Sequence, residues 1–316
     1  MTMSQHTWRA EEARWRRALD RADYSSETIE TYIREINQYF DYCTEQELVS
    51  ADIDSADLYV EHRQWSRSVH SARHAARAIK AYGKYLANEY EEGDPFRKLK
   101  LPKEPEITAP HAAAATDEDI EKLLSTCDQS TFIGARDYAL ITLLAETGLR
   151  RSEAVNLHME DVDIDEQTIN VKTGKTAAAK RLLYLPNEAQ GALMRYMKKR
   201  DELIAKERRR HRSSAWLNNL EALSPEPFWI SHKTECPAFK PNGLTQTLRK
   251  KGNAVGVDVR AHAMRRKHAT DWLAAGGTEN GLMANSGWKS GAMIQRYTRD
   301  NREKLAIDEA RRLRDA

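Results

Sequence analysis

The chain has 316 residues, enough for two ordinary domains. Its 50 Lys+Arg stand against 48 Asp+Glu, a formal net charge of +2, which excludes a uniformly basic protein but not a local basic patch. With 31% charged and 40% hydrophobic residues it reads as a soluble, helix-rich globular chain rather than a disordered one.

The first ~20 residues, rich in Arg and Glu between Trp8 and Arg17, lack the apolar core of a signal peptide. Isoleucine 29, Tyr32, Ile33, Ile36, Tyr39 and Phe40 then recur at helical spacing after a Ser25-Ser26 start signal. A short helix follows Asp54, with Leu58 and Tyr59. A third begins after Ser68, with Val69, Ala72, Ala76, Ile79, Tyr82 and Leu86 on its apolar side. That helix also carries Arg73, Arg77, Lys80 and Lys84 at i, i+4, i+7 and i+11, a cationic stripe with no acid among its positions. The stripe suits either a solvated face or one that follows a phosphate backbone.

Residues 91–115 hold Pro95, Pro102, Pro105 and Pro110 and read as an extended linker outside any core. The chain therefore divides into a helical domain over 1–90, the linker over 91–115 and a second domain over 116–316, opened by the cap Thr116 with Asp119 three residues on. Helices are expected around 117–126 and 135–147. Period-two alternation at 162–165, 168–171 and 183–185 predicts a small antiparallel sheet. A long helix follows Asn187, and residues 195–212 hold nine Lys+Arg against three Asp+Glu. Residues 213–227 read as a mobile loop, and helices fill the chain from Lys240 onward. The fold class is mainly α with one small antiparallel sheet.

Several chemistries are unsupported. The longest apolar run, Leu140 to Ala145, is far short of the ~20 residues that cross a membrane. Cys43, Cys127 and Cys236 are too few and too scattered for a disulfide framework or a zinc site, and suit reduced thiols in a cytoplasmic protein. Asp161, Asp163 and Asp165 start like a calcium loop, but Glu166 stands at its obligatory glycine and Lys172 at its bidentate acid. No phosphate-cradling glycine motif is present. No metal and no cofactor are expected.

One constellation carries chemistry. Thr147-Gly148-Leu149-Arg150 places an arginine after a tight turn at a helix start, with Glu153 three residues on. Downstream, His262 and Arg265 share a helix face, Gly287-Trp288 follows, and Tyr297 lies nine residues beyond the tryptophan. Lys175 follows Gly174 in the turn between two strands. Forked guanidinium donors stabilise the charge that grows on an attacked phosphodiester. A tyrosine, with a pKa of about 10, needs a nearby base and a positive field to attack at neutral pH. A lysine on a hairpin can protonate the leaving oxygen.

In these residues the chain resembles the tyrosine recombinase (phage integrase) family over about residues 20–310. The stretches that carry the resemblance are TGLRRSEAVNL from Thr147, Gly174 to Pro186, HAMRRKHATDWLAAG from His262 and NSGWKSGAMIQRY from Asn285. The separations of 23 and 32 residues from Arg265 to Trp288 and Tyr297 fit the family pattern. The resemblance implies a two-domain clamp on DNA: a helical SAM-like core-binding domain and a catalytic domain. It implies Arg150, Lys175, His262, Arg265, Trp288 and Tyr297 as the active set, with Glu153 in support and Tyr297 as nucleophile. The implied reaction is site-specific recombination through a 3′-phosphotyrosine, without metal or ATP. The implied partners are double-stranded DNA and three further copies, a homo-tetramer on two duplexes from a free monomer, in the cytoplasm with the DNA.

Two departures stand out. Trp288 sits where most members carry histidine, so it keeps one N–H donor but cannot titrate. The hairpin has three lysines, and Lys172 rivals Lys175 as general acid. Two other functions share this residue set in part: a silent DNA-binding factor, which would form no covalent adduct, and a type IB topoisomerase, which would relax DNA without a two-site requirement. Near the end, Leu305, Ala306, Ala310 and Leu313 outline a short amphipathic helix. On sequence alone it folds back on its own domain; the resemblance implies that it docks on a neighbouring protomer.

Overall fold

In the computed structural model the chain forms two units, Met1–Pro110 and His111–Ala316. The structure describes residues 5–48, 52–91, 93–103, 114–172, 180–209, 214–233, 235, 237–298 and 302–315.

The first unit packs α1 (Gln5–Arg21), α2 (Ser26–Glu45), α3 (Ile53–Ser66) and α4 (Val69–Tyr90). Ser25, Asp52 and Ser68 accept hydrogen bonds from backbone N–H groups in the first turns of α2, α3 and α4. Such caps satisfy donors that a helix start leaves without partners. The core is aromatic: Trp8 stacks on Phe40 at 5.7 Å and meets Tyr82 edge-on at 5.1 Å. Helix α1 has no counterpart among the expected elements. Its charged surface hides Trp8, Glu11, Trp15 and Leu19, which share one buried side.

The expected linker also needs correction. Phe96 and Leu99 are buried in this same core. The chain crosses α4 at Gly83, where a Cβ would fall 2.2 Å from an Asp94 carboxylate oxygen, so a side chain there would have to displace that carboxylate. The prolines rule out a helix there but not burial, which two apolar side chains suffice to drive.

The second unit opens with α5 (Asp117–Ser125), where Thr116 and Asp119 form a reciprocal capping box. Helix α6 (Phe132–Thr147) is buried along Ala139–Leu144 and serves as the central post. Against it pack α8 (Asn187–Arg208) and α11 (Ala261–Ala274). Between α6 and α8 lie the short α7 (Arg151–Val155) and a sheet of order β1-β2-β3, formed by Val162–Asp163, Thr168–Val171 and Arg181–Tyr184. Both pairings are antiparallel, and the Ile169↔Leu183 pair faces the core.

The loop expected over 213–227 contains α9 (Ala215–Glu221), capped by Ser214. Trp216, Leu217 and Leu220 close a small cluster with Ile204 and Ile230, and this burial outweighs the local loop signals. Then follow α10 (Pro241–Val255), α12 (Glu279–Ser286), α13 (Ala292–Thr298) and α14 (Arg302–Asp315). Helix α14 folds back along α11, and Arg312 donates to the Leu273 carbonyl at 3.4 Å. Among the described residues no helix is long and apolar enough to cross a membrane.

Candidate active site

The site begins where α6 ends. Gly148 closes that helix with φ +60°, a left-handed conformation that glycine adopts without strain. The turn delivers Arg150 to the start of α7. There Glu153 reaches back, accepting from the Arg150 backbone N–H at 2.9 Å and from its Nη1 at 2.6 Å.

Glu153 is buried, and one arginine is not its only partner. Arg181 donates to both its oxygens, at 3.3 and 3.0 Å. Burial pushes the Glu153 carboxyl up, but the hydrogen bonds and charges of Arg181 and Arg150 outweigh it and hold the group below the usual carboxylate range. Arg181 also donates through Nε to the Asn285 carbonyl at the end of α12. The sequence reading missed this residue. Its signal is phase: Arg181 alternates in step with Leu183 and Leu185, both buried, so the strand turns it inward.

From α11, Arg265 is 2% exposed. Its Nη1 donates to the Gly148 carbonyl and its Nη2 to the Ser286 carbonyl at 2.6 Å. Two carbonyls thus aim the fork, yet among the described residues no carboxylate contacts it. Burial, with the Arg150 charge next, pushes its pKa down to about 10, so it stays charged at neutral pH. The guanidinium carbon lies 5.3 Å from the Trp288 ring and 5.9 Å from that of Tyr297.

Tyrosine 297 rides on α13. Its ring centroid is 4.8 Å from that of Trp288, and its Oη is 3.4 Å from Nδ1 of the exposed His262. Trp288 is 5% exposed, and its Nε1 has no hydrogen-bond partner among the described residues. Arg150 completes the ring of contacts, with Nη2 at 3.5 Å from the Gly287 carbonyl. The second unit therefore gathers Arg150, Glu153, His262, Arg265, Trp288 and Tyr297 around one spot, although the chain separates the first and last by 147 positions. Such a spot offers forked donors for an anion beside a phenol oxygen.

Residues 114–304 match the family model described as the phage integrase family, and residues 13–92 match the phage integrase N-terminal SAM-like domain. The chain belongs to the phage integrase family. Among its relatives, the tyrosine recombinase XerA of Pyrococcus furiosus is 28% identical over 236 residues, covering 73% of this chain and 70% of that protein. The fold is that of XerH site-specific recombinase in a post-cleavage complex with palindromic difH, at TM-score 0.64, 18% identity, and coverage of 91% and 80%. It is also that of a lambda integrase tetramer on a Holliday junction, at TM-score 0.63, 14% identity, and coverage of 94% and 77%. The chain is accordingly a tyrosine-type site-specific DNA recombinase.

Two further sets of residues expected in this recombinase are placed differently. Lys175 lies outside the described residues. Its rival Lys172 is described: its Nζ sits 2.7 Å from Glu160 and 2.8 Å from Asp161. The hydrogen bonds that its ammonium donates to these carboxylates, Asp161 first, hold its pKa above the usual lysine range, the wrong direction for a group that must release a proton.

The cationic stripe on α4 is divided. Arg73 donates to the Pro102 carbonyl, and Lys80 donates to the Arg97 and Leu99 carbonyls, both at 2.9 Å. These two side chains fasten the 97–102 segment to the helix. Arg77 and Lys84 are exposed.

Proposed function

We propose that Tyr297 attacks a phosphodiester of duplex DNA while Arg150, Arg265, His262 and Trp288 hold its non-bridging oxygens. The bond from Tyr297 Oη to phosphorus forms as the bond to the 5′-oxygen breaks. The products are a 3′-phosphotyrosine and a 5′-hydroxyl, and the hydroxyl of a second DNA end reverses the step. The ester bond is exchanged rather than hydrolysed, so the scheme requires neither ATP nor a metal.

The observation that carries this reading is the convergence on Tyr297: His262 at hydrogen-bond range, Trp288 against the ring, and the carboxylate-free Arg265 beside both. His262 is the nearest base for the phenol proton. The partnerless Trp288 N–H suits a phosphate oxygen as acceptor. Glu153 orients Arg150. Lys175 supplies the proton to the leaving 5′-oxygen, because Lys172 is held by two carboxylates.

Binding is assigned to both units, with the α4 stripe of Arg73, Arg77, Lys80 and Lys84 following phosphates, Arg77 and Lys84 foremost. The units form a clamp on the duplex. Strand exchange takes four protomers on two duplexes, assembled from free monomers where the DNA lies in the cytoplasm. Helix α14 suits an exchanged element because Ile307 and Leu313 remain 53% and 75% exposed while it lies on its own domain.

The test uses a nicked duplex bearing a site that the wild-type protein selects from a random-sequence pool. Wild type accumulates a covalent adduct; Tyr297→Phe binds equally and forms none. Adduct in that variant would show that another residue attacks. On a strand whose leaving oxygen is replaced by sulfur, Lys175→Ala regains its lost rate. If Lys172→Ala behaves that way instead, the assignment of the acid is wrong. Removing the residues after Asp300 leaves single-site binding intact and abolishes exchange between two sites. Full exchange by that truncated chain refutes the role of α14.

A further inference from the structure

One titratable side chain beside the site takes no part in the reaction as written. His268 lies on α11, one turn beyond Arg265. Its Nε2 is 3.3 Å from the Asn285 side-chain oxygen, at the end of α12. The ring also hydrogen-bonds the Glu146 backbone carbonyl, in the last turn of α6. Between these two contacts it lies against the turn. A Cβ on Gly148 would fall 2.5 Å from the ring's Cδ2 and 2.8 Å from its Cγ.

The groups on either side of this ring are those that seat Arg265. Gly148 supplies the carbonyl for Nη1, and Ser286, next to Asn285, supplies the carbonyl for Nη2. We propose that His268 is a positioning residue: its imidazole pins the Gly148 turn to the end of α12 and so fixes the two carbonyls that aim the Arg265 guanidinium. The proposal rests on the reading of Arg265 as a phosphate-holding group. A displacement of about 1 Å at a reacting group costs on the order of 100-fold in rate, so a modest loosening is readable.

Both partners of the ring are oxygens, so a neutral imidazole donates its one N–H to either of them and only the protonated ring donates to both. The charged groups acting on it are Arg265 and Asp271 on α11, beside its neighbour Lys267; α6 offers the Glu146 carbonyl, and α12 contributes the uncharged Asn285, whose own carbonyl accepts from Arg181 of β3. Burial first and the Arg265 charge after it keep the ring below the usual histidine range, against the pull of Asn285, Asp271 and the Glu146 carbonyl. A proton on His268 adds a donor for these oxygens and also places a second cation one helical turn from Arg265, so the seat changes as the ring titrates.

The experiment measures single-turnover adduct formation on the selected nicked duplex from pH 5 to 8.5 for wild type, His268→Phe and Asn285→Asp. Phenylalanine keeps the ring on Gly148 but makes neither hydrogen bond and cannot titrate. The expected ratio of wild-type to His268→Phe rate is about 10 at pH 8 and changes as the ring titrates toward pH 5, with DNA affinity unchanged. Taking the ratio cancels any titration of His262. A ratio that is constant with pH, or that is 1 throughout, overturns the proposal.

Asn285→Asp keeps the contact but adds a carboxylate facing Nε2, which moves the pH-dependent change in rate upward by roughly one pH unit. A change that stays in place also overturns it. The underlying reading fails separately: if Arg265→Ala forms adduct at the wild-type rate, it is the role of Arg265 that is wrong, whatever the His268 variants do.

Discussion

Two guanidinium groups flank the same spot and are held by opposite means. Arg150 is partly exposed and leans on a carboxylate, Glu153, which it shares with Arg181. Arg265 is buried and, among the described residues, leans on the carbonyls of Gly148 and Ser286. In the first seat two cations and one anion leave a net charge of about +1 spread over three side chains. In the second a full charge is taken from water and matched only by dipoles, at a desolvation cost that lowers its pKa to about 10. The difference teaches which arginine awaits a counter-ion. On the proposed function a bound phosphate completes the Arg265 seat, whereas the Arg150 seat is already neutralised in part by Glu153.

The comparison breaks most directly at Arg265. Its replacement by alanine is expected to slow adduct formation by about 100- to 1000-fold, the scale for removing one preorganised donor. Arg265→Lys recovers little, because an ammonium cannot span two carbonyls and a phosphate as a planar fork does. Arg150→Ala should slow the step less. Quench-flow or gel measurement of the adduct checks the ranking, and the reverse order removes the distinction.

Next in size is Glu153→Gln, which leaves two arginines facing one neutral amide. Charged hydrogen bonds of this kind contribute about 1.5–3 kcal/mol, so unfolding by urea should show a loss of roughly 2–3 kcal/mol. The pH dependence has a definite sign. The folded state lowers the Glu153 pKa, so its contribution is complete above the ordinary carboxylate value and is lost as pH falls through the folded one. The wild-type stability curve should therefore drop more steeply than that of Glu153→Gln below about pH 4.5.

Gly148→Ala tests the turn that both seats share. Its φ of +60° and the His268 ring beneath it oppose any side chain, with an expected cost of about 2 kcal/mol and a lower melting temperature. Unchanged stability would mean that the turn moves freely. The smallest effect is expected far from these seats, on α4. Arg77→Ala with Lys84→Ala should flatten the slope of log affinity against log salt by about 2, while Arg73→Ala with Lys80→Ala should instead destabilise the first unit. Equal slopes for both pairs contradict the division of the stripe.

The chain itself determined the chemistry of this recombinase. Arg150, His262, Arg265, Trp288 and Tyr297 are picked out by short stretches that resemble the family, and the structure brings their side chains together. The helices of α2 and α4 and the three-stranded sheet are legible too, since periods of 3.6 and 2 are local properties of the sequence. Tertiary structure alone decided the partners. Arg181 is 28 positions from Glu153, and His268 finds Asn285 on another helix. The contacts of Lys172 with Glu160 and Asp161 are likewise absent from any sequence pattern. Arg73 and Lys80 part from Arg77 and Lys84 only where the 97–102 segment crosses α4. The physical reason is common to all four cases. Residue type and spacing record what a side chain is able to do, but which donor meets which acceptor depends on burial and on the crossing of distant segments, and a linear pattern carries neither.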